Sequence, residues 1–374
     1  MSASFYDLLK FAKTGIASPS MTAYDKMKAL AMCKAGFPVK TISGVPPISF
    51  KSDGSALTAW SISGNMTQSG TPTPTVPIQP EECGERTANL FYKKLSGANI
   101  NANGIITTNG SFDLFIAKVV EGETYSVSGV SGNMAFFVNE PQLNSQSYNG
   151  SRESIVSPVT IPQGVNYAAY RTEHDVNTAM LNTGSTALPY EPFGYALPIT
   201  LAGQTQTIYL PEPLRKIGDY ADVVNSDGTV TRRVKKVVLT GQESGEWDKN
   251  PSFNNGDGYY NLTAFSGYVR GLSDAICSHL NKIGSTGDPQ GIYSGNNISI
   301  VFDHALGLDT KQKLRQWLSE QYSNGTPVCV WYVLATATTE TVTVPTLTPA
   351  KGSNTLSIGT TLAPSSVSIT GGIK

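Results

Sequence analysis

Between Ala88 and Gly194 apolar and polar residues alternate in short runs, and glycine, asparagine or proline clusters cut the runs off. The spacing between cuts is roughly 8–12 residues, the rhythm of an all-β domain. Seven strands are expected there: Ile105–Thr107, Phe112–Val119, Thr124–Val130, Met134–Val138, Ser154–Ile161, Ala168–Thr172 and Ala179–Leu181. That number of short strands predicts a β-sandwich or jelly roll. Composition agrees. Charged residues are 15% of the chain, below the roughly 25% of an average globular protein, while 36 glycines and 22 prolines punctuate the backbone.

The flanking segments read differently, and the chain divides into five parts. Residues 1–37 hold two short helices, one capped by Ser4 and ended by Gly15, the other capped by Ser20 and ended by Gly36. Phe5, Leu8 and Leu9 form the apolar stripe of the first; Tyr24, Met27 and Leu30 form that of the second. Two such helices bury little alone and need a partner surface. In residues 38–87, Ile48 to Ile62 reads as a hairpin around Ser52-Asp53-Gly54. Prolines 72, 74, 77 and 80 then predict an extended strap. Residues 88–195 are the sandwich. Residues 196–241 carry a second hairpin, turning at Asn225-Ser226-Asp227-Gly228. Residues 242–374 read as α+β: a strand at Ile298–Phe302, a helix capped by Asp309 or Thr310 with Leu314, Trp317 and Leu318 inward, and a buried strand at Val328–Leu334. The fold class expected is therefore mainly β and multi-domain, with short N-terminal α-helices and a C-terminal α+β domain.

Several functions are disfavoured. Lysine plus arginine is 27 and aspartate plus glutamate is 28, for a net charge of −1, so neither nucleic acid nor an anionic membrane has an electrostatic hold. The run Val328–Ala335 is the longest apolar stretch, far short of the roughly 20 residues of a membrane helix. Asp7 and Lys10 interrupt the first apolar stretch, unlike a secretory signal. Cys33, Cys83, Cys277 and Cys329 show no CxxC spacing, so buried free thiols are expected rather than a zinc site or a disulfide framework.

Few residues suggest catalysis. Glu173-His174-Asp175 and Asp303-His304 are the local histidine clusters, and polar surface pairs are the expected reading. Glu246-Trp247-Asp248 sets two carboxylates around an aromatic ring, the one arrangement here that suits a glycosidase. No cofactor is expected. Asp113, Glu121 and Asp257 are the donors a structural calcium would use. The basic run Arg232-Arg233-Val234-Lys235-Lys236 reads as a solvated strand or an oligomer contact. Glycan binding needs exposed aromatic faces beside amides or charges. Tyr148, Tyr167, Tyr170, Trp247, Tyr259 and Tyr260 are the candidates.

Five phrases carry a resemblance: ISGVPPISFKSDGSALTAWSISGNMTQSGTPTPTVPIQP (Ile42–Pro80), whose most characteristic part is GNMTQSGTPTPTVP (Gly64–Pro77), ERTANLF (Glu85–Phe91), LNTGSTALPYEPFGY (Leu181–Tyr195), LPEPLRKIGDYADVVNSDGTVTRRVKKVVLTG (Leu210–Gly241) and VWYVLATATTETVTVP (Val330–Pro345). They resemble tail-associated minor structural and receptor-binding proteins of phages and prophages of Gram-positive bacteria. The resemblance implies a virion protein assembled in the host cytoplasm, a tail fibre or baseplate component, with a carbohydrate-binding-like sandwich at 88–195. It implies a homotrimer, attachment to other virion proteins and contact with a host surface glycan or protein. It brings no catalytic motif. Residues 1–37 match none of the phrases and are expected to be the attachment segment, through Phe5, Leu8, Leu9, Tyr24, Met27 and Leu30. Two other readings stay open: a head fibre, capsid decoration or neck protein without a receptor role, and a tail-spike glycan depolymerase using Glu246 and Asp248.

Overall fold

The computed structural model describes residues 41–174, 176–253, 255–268 and 275–373. The expected N-terminal helices, with Phe5, Leu8, Leu9, Tyr24, Met27 and Leu30, lie outside the described residues, as do Cys33 and Asp175. The fold is mainly β, built from antiparallel sheets and a single α-helix, α1 (Lys311–Ser323), among the described residues.

Two sheets form a base in which the first and last described strands lie together. One sheet orders its strands as Thr41–Gly44, Ser366–Thr370, Ala59–Ser63, Val223–Asn225, Thr229–Leu239, Val328–Thr341 and Ala275–Cys277. The other orders Gln204–Leu210, Tyr195–Leu201, Gly352–Ile358 and Ile48–Ser52. Ile48, Phe50, Trp60, Ile62, Leu197, Ile199, Leu356 and Ile369 fill the space between them. Each fully buried aliphatic side chain stabilises such a core by about 1.5–3 kcal/mol.

This arrangement corrects two expectations. Ile48–Ser52 and Ala59–Ser63 do not pair as a hairpin. The first pairs with Gly352–Ile358 and the second with Ser366–Thr370, in opposite sheets. The connection crosses the core and buries Leu57 on the way, which a tight turn could not do. The tail beyond residue 342 correspondingly joins residues 41–63 rather than the α+β unit. The hairpin at Asn225–Gly228 is present: the Gly228 amide donates to Asn225 O at 3.0 Å, and Gly228 takes φ +84°, a left-handed conformation that glycine adopts without strain.

The sandwich is an insertion in the base. Its larger sheet orders Glu153–Ser154, Asn133–Phe137, Tyr167–Glu173, Ile106–Lys118 and Phe91–Ile100; its smaller sheet orders Val159–Thr160, Thr124–Ser128 and Met180–Thr183. Phe91–Ile100, an edge strand, is longer than any segment the alternation marked there. The larger sheet is apolar on both faces. Phe91, Ala117, Phe136 and Tyr170 belong to one core, and Ile100, Leu114, Ile116 and Phe137 to another. The chain enters and leaves the sandwich at one place. Thr87 N and Oγ1 donate to Gly194 O, the Ala88 amide donates to Glu191 Oε2, and Asn89 Nδ2 donates to both Ala179 O and Glu191 O.

The α+β unit is a second insertion, carried by the two longest neighbouring strands of the base, Thr229–Leu239 and Val328–Thr341. Their register shifts between Arg232 and Val234. Asp222, fully buried, occupies this bulge: its Oδ1 accepts from the amides of both Arg233 (2.6 Å) and Val234 (3.0 Å), and its Oδ2 from Arg215 N and Arg232 Nη1. A bulge leaves unpaired amides, and Asp222 satisfies them. Beyond it, the strands pack against α1 and a sheet ordered Asp248–Lys249, Gly256–Tyr260, Ile298–Asp303 and Gly291–Ser294. Thr310 caps α1 by accepting from the Lys313 amide, and Leu314 and Leu318 are buried. The strand before α1 and the strand after it belong to different sheets, so they make no βαβ crossover.

The proline-rich segment is packed rather than free-standing. Pro72, Pro74 and Pro80 are buried. The Ile78 amide donates to Ser278 O at 2.7 Å, and Gln68 Nε2 donates to Cys277 O at 2.9 Å. The segment thereby covers the outer edge of Ala275–Cys277, an edge that would otherwise be open to pairing with another chain.

Candidate functional site

The six aromatic candidates separate by burial. Tyr170, Trp247 and Tyr259 are fully buried, so they offer no face to a ligand. Tyr170 lies edge-on to Phe91, Trp247 edge-on to Phe265 with its Nε1 donating to Glu243 Oε2, and Tyr259 donates its hydroxyl to Leu308 O. Alternation places an aromatic residue on a strand but not on the outward face when both faces of the sheet are covered, as here. Tyr260 is half-buried. Tyr148 is 43% exposed, with its ring edge against Phe136. Tyr167 is half-buried and lines a cavity.

That cavity, about 300 Å³ in volume, lies between the sandwich and α1. Tyr167 and Tyr92 come from strands of the larger sandwich sheet, and Tyr322 comes from the last turn of α1. Leu90 supplies an apolar patch, while Arg86, Lys118 and Glu140 supply charge. The Lys118 ammonium lies 5.7 Å from the Tyr322 ring centroid, a cation–π contact joining the two insertions. The Arg86 guanidinium lies 4.2 Å from the Phe193 centroid and 5.3 Å from that of Tyr195. Glu140 pairs with Lys93 at 2.8 Å. Burial and then the Glu140 charge raise the Tyr92 phenol above its ordinary value; burial, the Tyr322 phenol and Glu140 do the same for Tyr167. Both hydroxyls therefore stay protonated at neutral pH; that of Tyr92 is buried without a hydrogen-bond partner among the described residues. The volume suits a small polar molecule, and the three tyrosine rings can stack on its apolar faces.

The other marked clusters are tied up within the chain. Asp113 is buried and binds Lys94 at 2.9 Å and His174 Nδ1 at 3.0 Å; Asp257 is buried and binds Lys249 at 2.6 Å and His304 Nδ1 at 2.9 Å. In each case two exposed cationic or polar groups neutralise a carboxylate held on a strand. Glu121 accepts from the Gly164 amide. No group of three His, Cys, Asp or Glu side chains placed to hold a metal ion occurs among the described residues. Glu246 and Asp248 both face Lys311, at 4.0 and 3.1 Å, on an open surface. The basic run is absorbed by the fold. Arg232 is buried against Asp222 and Glu340, while Arg233, Lys235 and Lys236 lie over the rings of Tyr220, Tyr332 and Trp331.

Tyr92 and Tyr322 carry no sequence signal as a pair. They are 230 positions apart in the numbering, on elements brought together only by the two insertions. Comparison with protein-family models, with curated proteins and with solved structures finds no match. Among the described residues no helix is long and apolar enough to cross a membrane.

Proposed function

We propose that this chain is a structural protein of a phage virion, a tail fibre or baseplate component, that contacts the host surface by binding saccharide between the sandwich and α1. The convergence of Tyr92, Tyr167 and Tyr322 on one cavity carries the saccharide part of this reading. Aromatic faces accept the C–H face of a sugar ring, and the phenols and charged groups reach its hydroxyls. The virion part rests on the resemblance of the five phrases. In this reading the chain acts as a homotrimer, joined to other virion proteins through residues 1–37. Repetition of the cleft then raises weak single-site contacts to useful avidity.

The depolymerase reading has less support. Glu246 and Asp248 share a lysine on an open face, and Trp247 is turned into the core. A decoration or neck protein without a receptor role remains the alternative, and the same experiment separates the two. The intact protein is titrated with cell-wall polysaccharides purified from Gram-positive bacteria. Binding that is lost in a Tyr167→Ala, Tyr322→Ala double variant supports a receptor role. Absence of binding to every polysaccharide supports the decoration role instead.

A further inference from the structure

The charge of the cleft assigns its ligand a sign. Resting on the saccharide reading, we infer that the ligand is anionic, a sugar carrying a carboxylate or a phosphate, and that Lys118 and Arg86 recognise that group. Three observations lead there.

First, both cations border the same cavity, and each lies over aromatic rings: Tyr322 for Lys118, Phe193 and Tyr195 for Arg86. Neither is engaged by a carboxylate of any described residue. That contrasts with Arg215, Arg232, Lys94 and Lys249, each of which is paired with one. Second, the acid at the cleft, Glu140, is paired with a third cation, Lys93. The local balance around an incoming ligand is therefore two uncompensated positive charges in a chain whose net charge is −1. Third, the rings beneath the cations hold them in place without satisfying their hydrogen-bonding capacity. A guanidinium stacked on a ring keeps its in-plane N–H donors, which match the paired oxygens of a carboxylate or phosphate. Lys118 keeps the three donors of its ammonium.

A neutral sugar would meet the same three tyrosines but leave both cations without a counter-charge. An anionic sugar meets the rings with its C–H face and the cations with its acid group. At the effective dielectric of a partly exposed site, the added attraction is expected to favour the anionic form by about tenfold.

The test compares matched hexoses by ligand-observed NMR titration of the intact protein. Methyl glucoside and methyl galactoside are the neutral probes, glucuronate and galacturonate the carboxylated ones, and glucose 6-phosphate and galactose 6-phosphate the phosphorylated ones. The expected result is about tenfold tighter binding of acidic hexoses than of their neutral parents, with the preference shrinking at high salt. In a Lys118→Gln, Arg86→Gln double variant, the ratio of acidic to neutral affinity should fall towards one. The carboxylated and phosphorylated arms show which acid is preferred. Equal binding of neutral and acidic hexoses overturns the inference while leaving the saccharide site intact. Binding of none of the six overturns the saccharide reading itself, and this inference with it.

Discussion

Thr87 and Gly194 bond to each other from both directions. The Thr87 amide donates to Gly194 O at 3.1 Å, the Thr87 hydroxyl donates to the same oxygen at 3.3 Å, and the Gly194 amide donates to Thr87 Oγ1 at 3.1 Å. The two residues stand 107 positions apart, at the points where the chain enters and leaves the inserted sandwich. Gly194 takes φ +134°, and a side chain there would meet Leu210 O. The clasp therefore needs glycine on one side and a small hydroxyl on the other.

Thr87→Val keeps the shape and removes the hydroxyl. It leaves the buried Gly194 amide without its acceptor, at an expected cost of about 1–3 kcal/mol. Differential scanning calorimetry should show a lowered unfolding temperature, and limited proteolysis should cut near residues 87 and 194 sooner than in the native chain. An unchanged melting profile would mean that the clasp contributes little.

Asp222→Ala removes the acceptor shared by the two bulge amides and leaves Arg232 with Glu340 as its remaining carboxylate partner. Breaking a buried pair in this way is expected to cost about 3–5 kcal/mol. Because the bulge sits where the α+β unit joins the base, hydrogen exchange should accelerate along both Thr229–Leu239 and Val328–Thr341. Exchange that changes in only one of those strands would count against Asp222 as the pin of the junction.

His279 is fully buried, with Ser278 Oγ 2.8 Å from its Nδ1 and Trp317 edge-on to its ring. Burial lowers its basicity below the ordinary 6.5, more than contacts with Gln321 and Thr326 raise it. The folded state thus binds this proton less readily than the unfolded state does. Its contribution to stability is complete above about pH 6.5 and declines as pH falls below that value, until the folded-state value is reached. Urea midpoints measured from pH 8 to pH 5 should fall with acid, and His279→Asn should flatten that part of the curve. A midpoint insensitive to pH in the native chain would contradict this.

Cys83, Cys277 and Cys329 are buried free thiols, and burial raises Cys83 to about 11 and Cys277 to about 12. In a Cys33→Ser variant, Ellman's reagent at pH 8 should find almost no reactive thiol until denaturant is added. Rapid reaction in the folded state would refute the burial.

Local patterns and distant pairings were not equally legible in the sequence. Alternation marked Thr124–Val130 and Ala168–Thr172, near the observed strands Thr124–Ser128 and Tyr167–Glu173, because glycine and proline flank them. It could not say that Ile48–Ser52 and Ala59–Ser63 belong to opposite sheets, since their partners lie some 300 residues further along. The phrase beginning at Gly64 has a structural basis: a Cβ there would lie 2.5 Å from the Arg215 amide, and the Gln68 amide group bridges Ile78 and Cys277. Of the cleft, only Tyr167 was marked as a ligand contact, though Arg86 and Leu90 lie in the phrase Glu85–Phe91. Tyr92 sits on an edge strand with weak alternation, and Tyr322 ends a helix whose apolar stripe points elsewhere. Trp247 and Tyr259 were misplaced because an amphipathic ring satisfies a core through one hydrogen bond as readily as it serves a surface, and Tyr170 because both faces of its sheet are covered.

The most direct measurement is the affinity of a bound cell-wall saccharide for the intact protein and for Tyr322→Ala. Tyr322 is 37% exposed, so its truncation should leave the fold intact. The account predicts binding about tenfold weaker, or roughly 1.4 kcal/mol, while Tyr148→Ala, on the sandwich but outside the cleft, binds as the native chain does. Equal affinity for Tyr322→Ala and the native protein, or a loss confined to Tyr148→Ala, would place the saccharide elsewhere and contradict the assignment of the cleft.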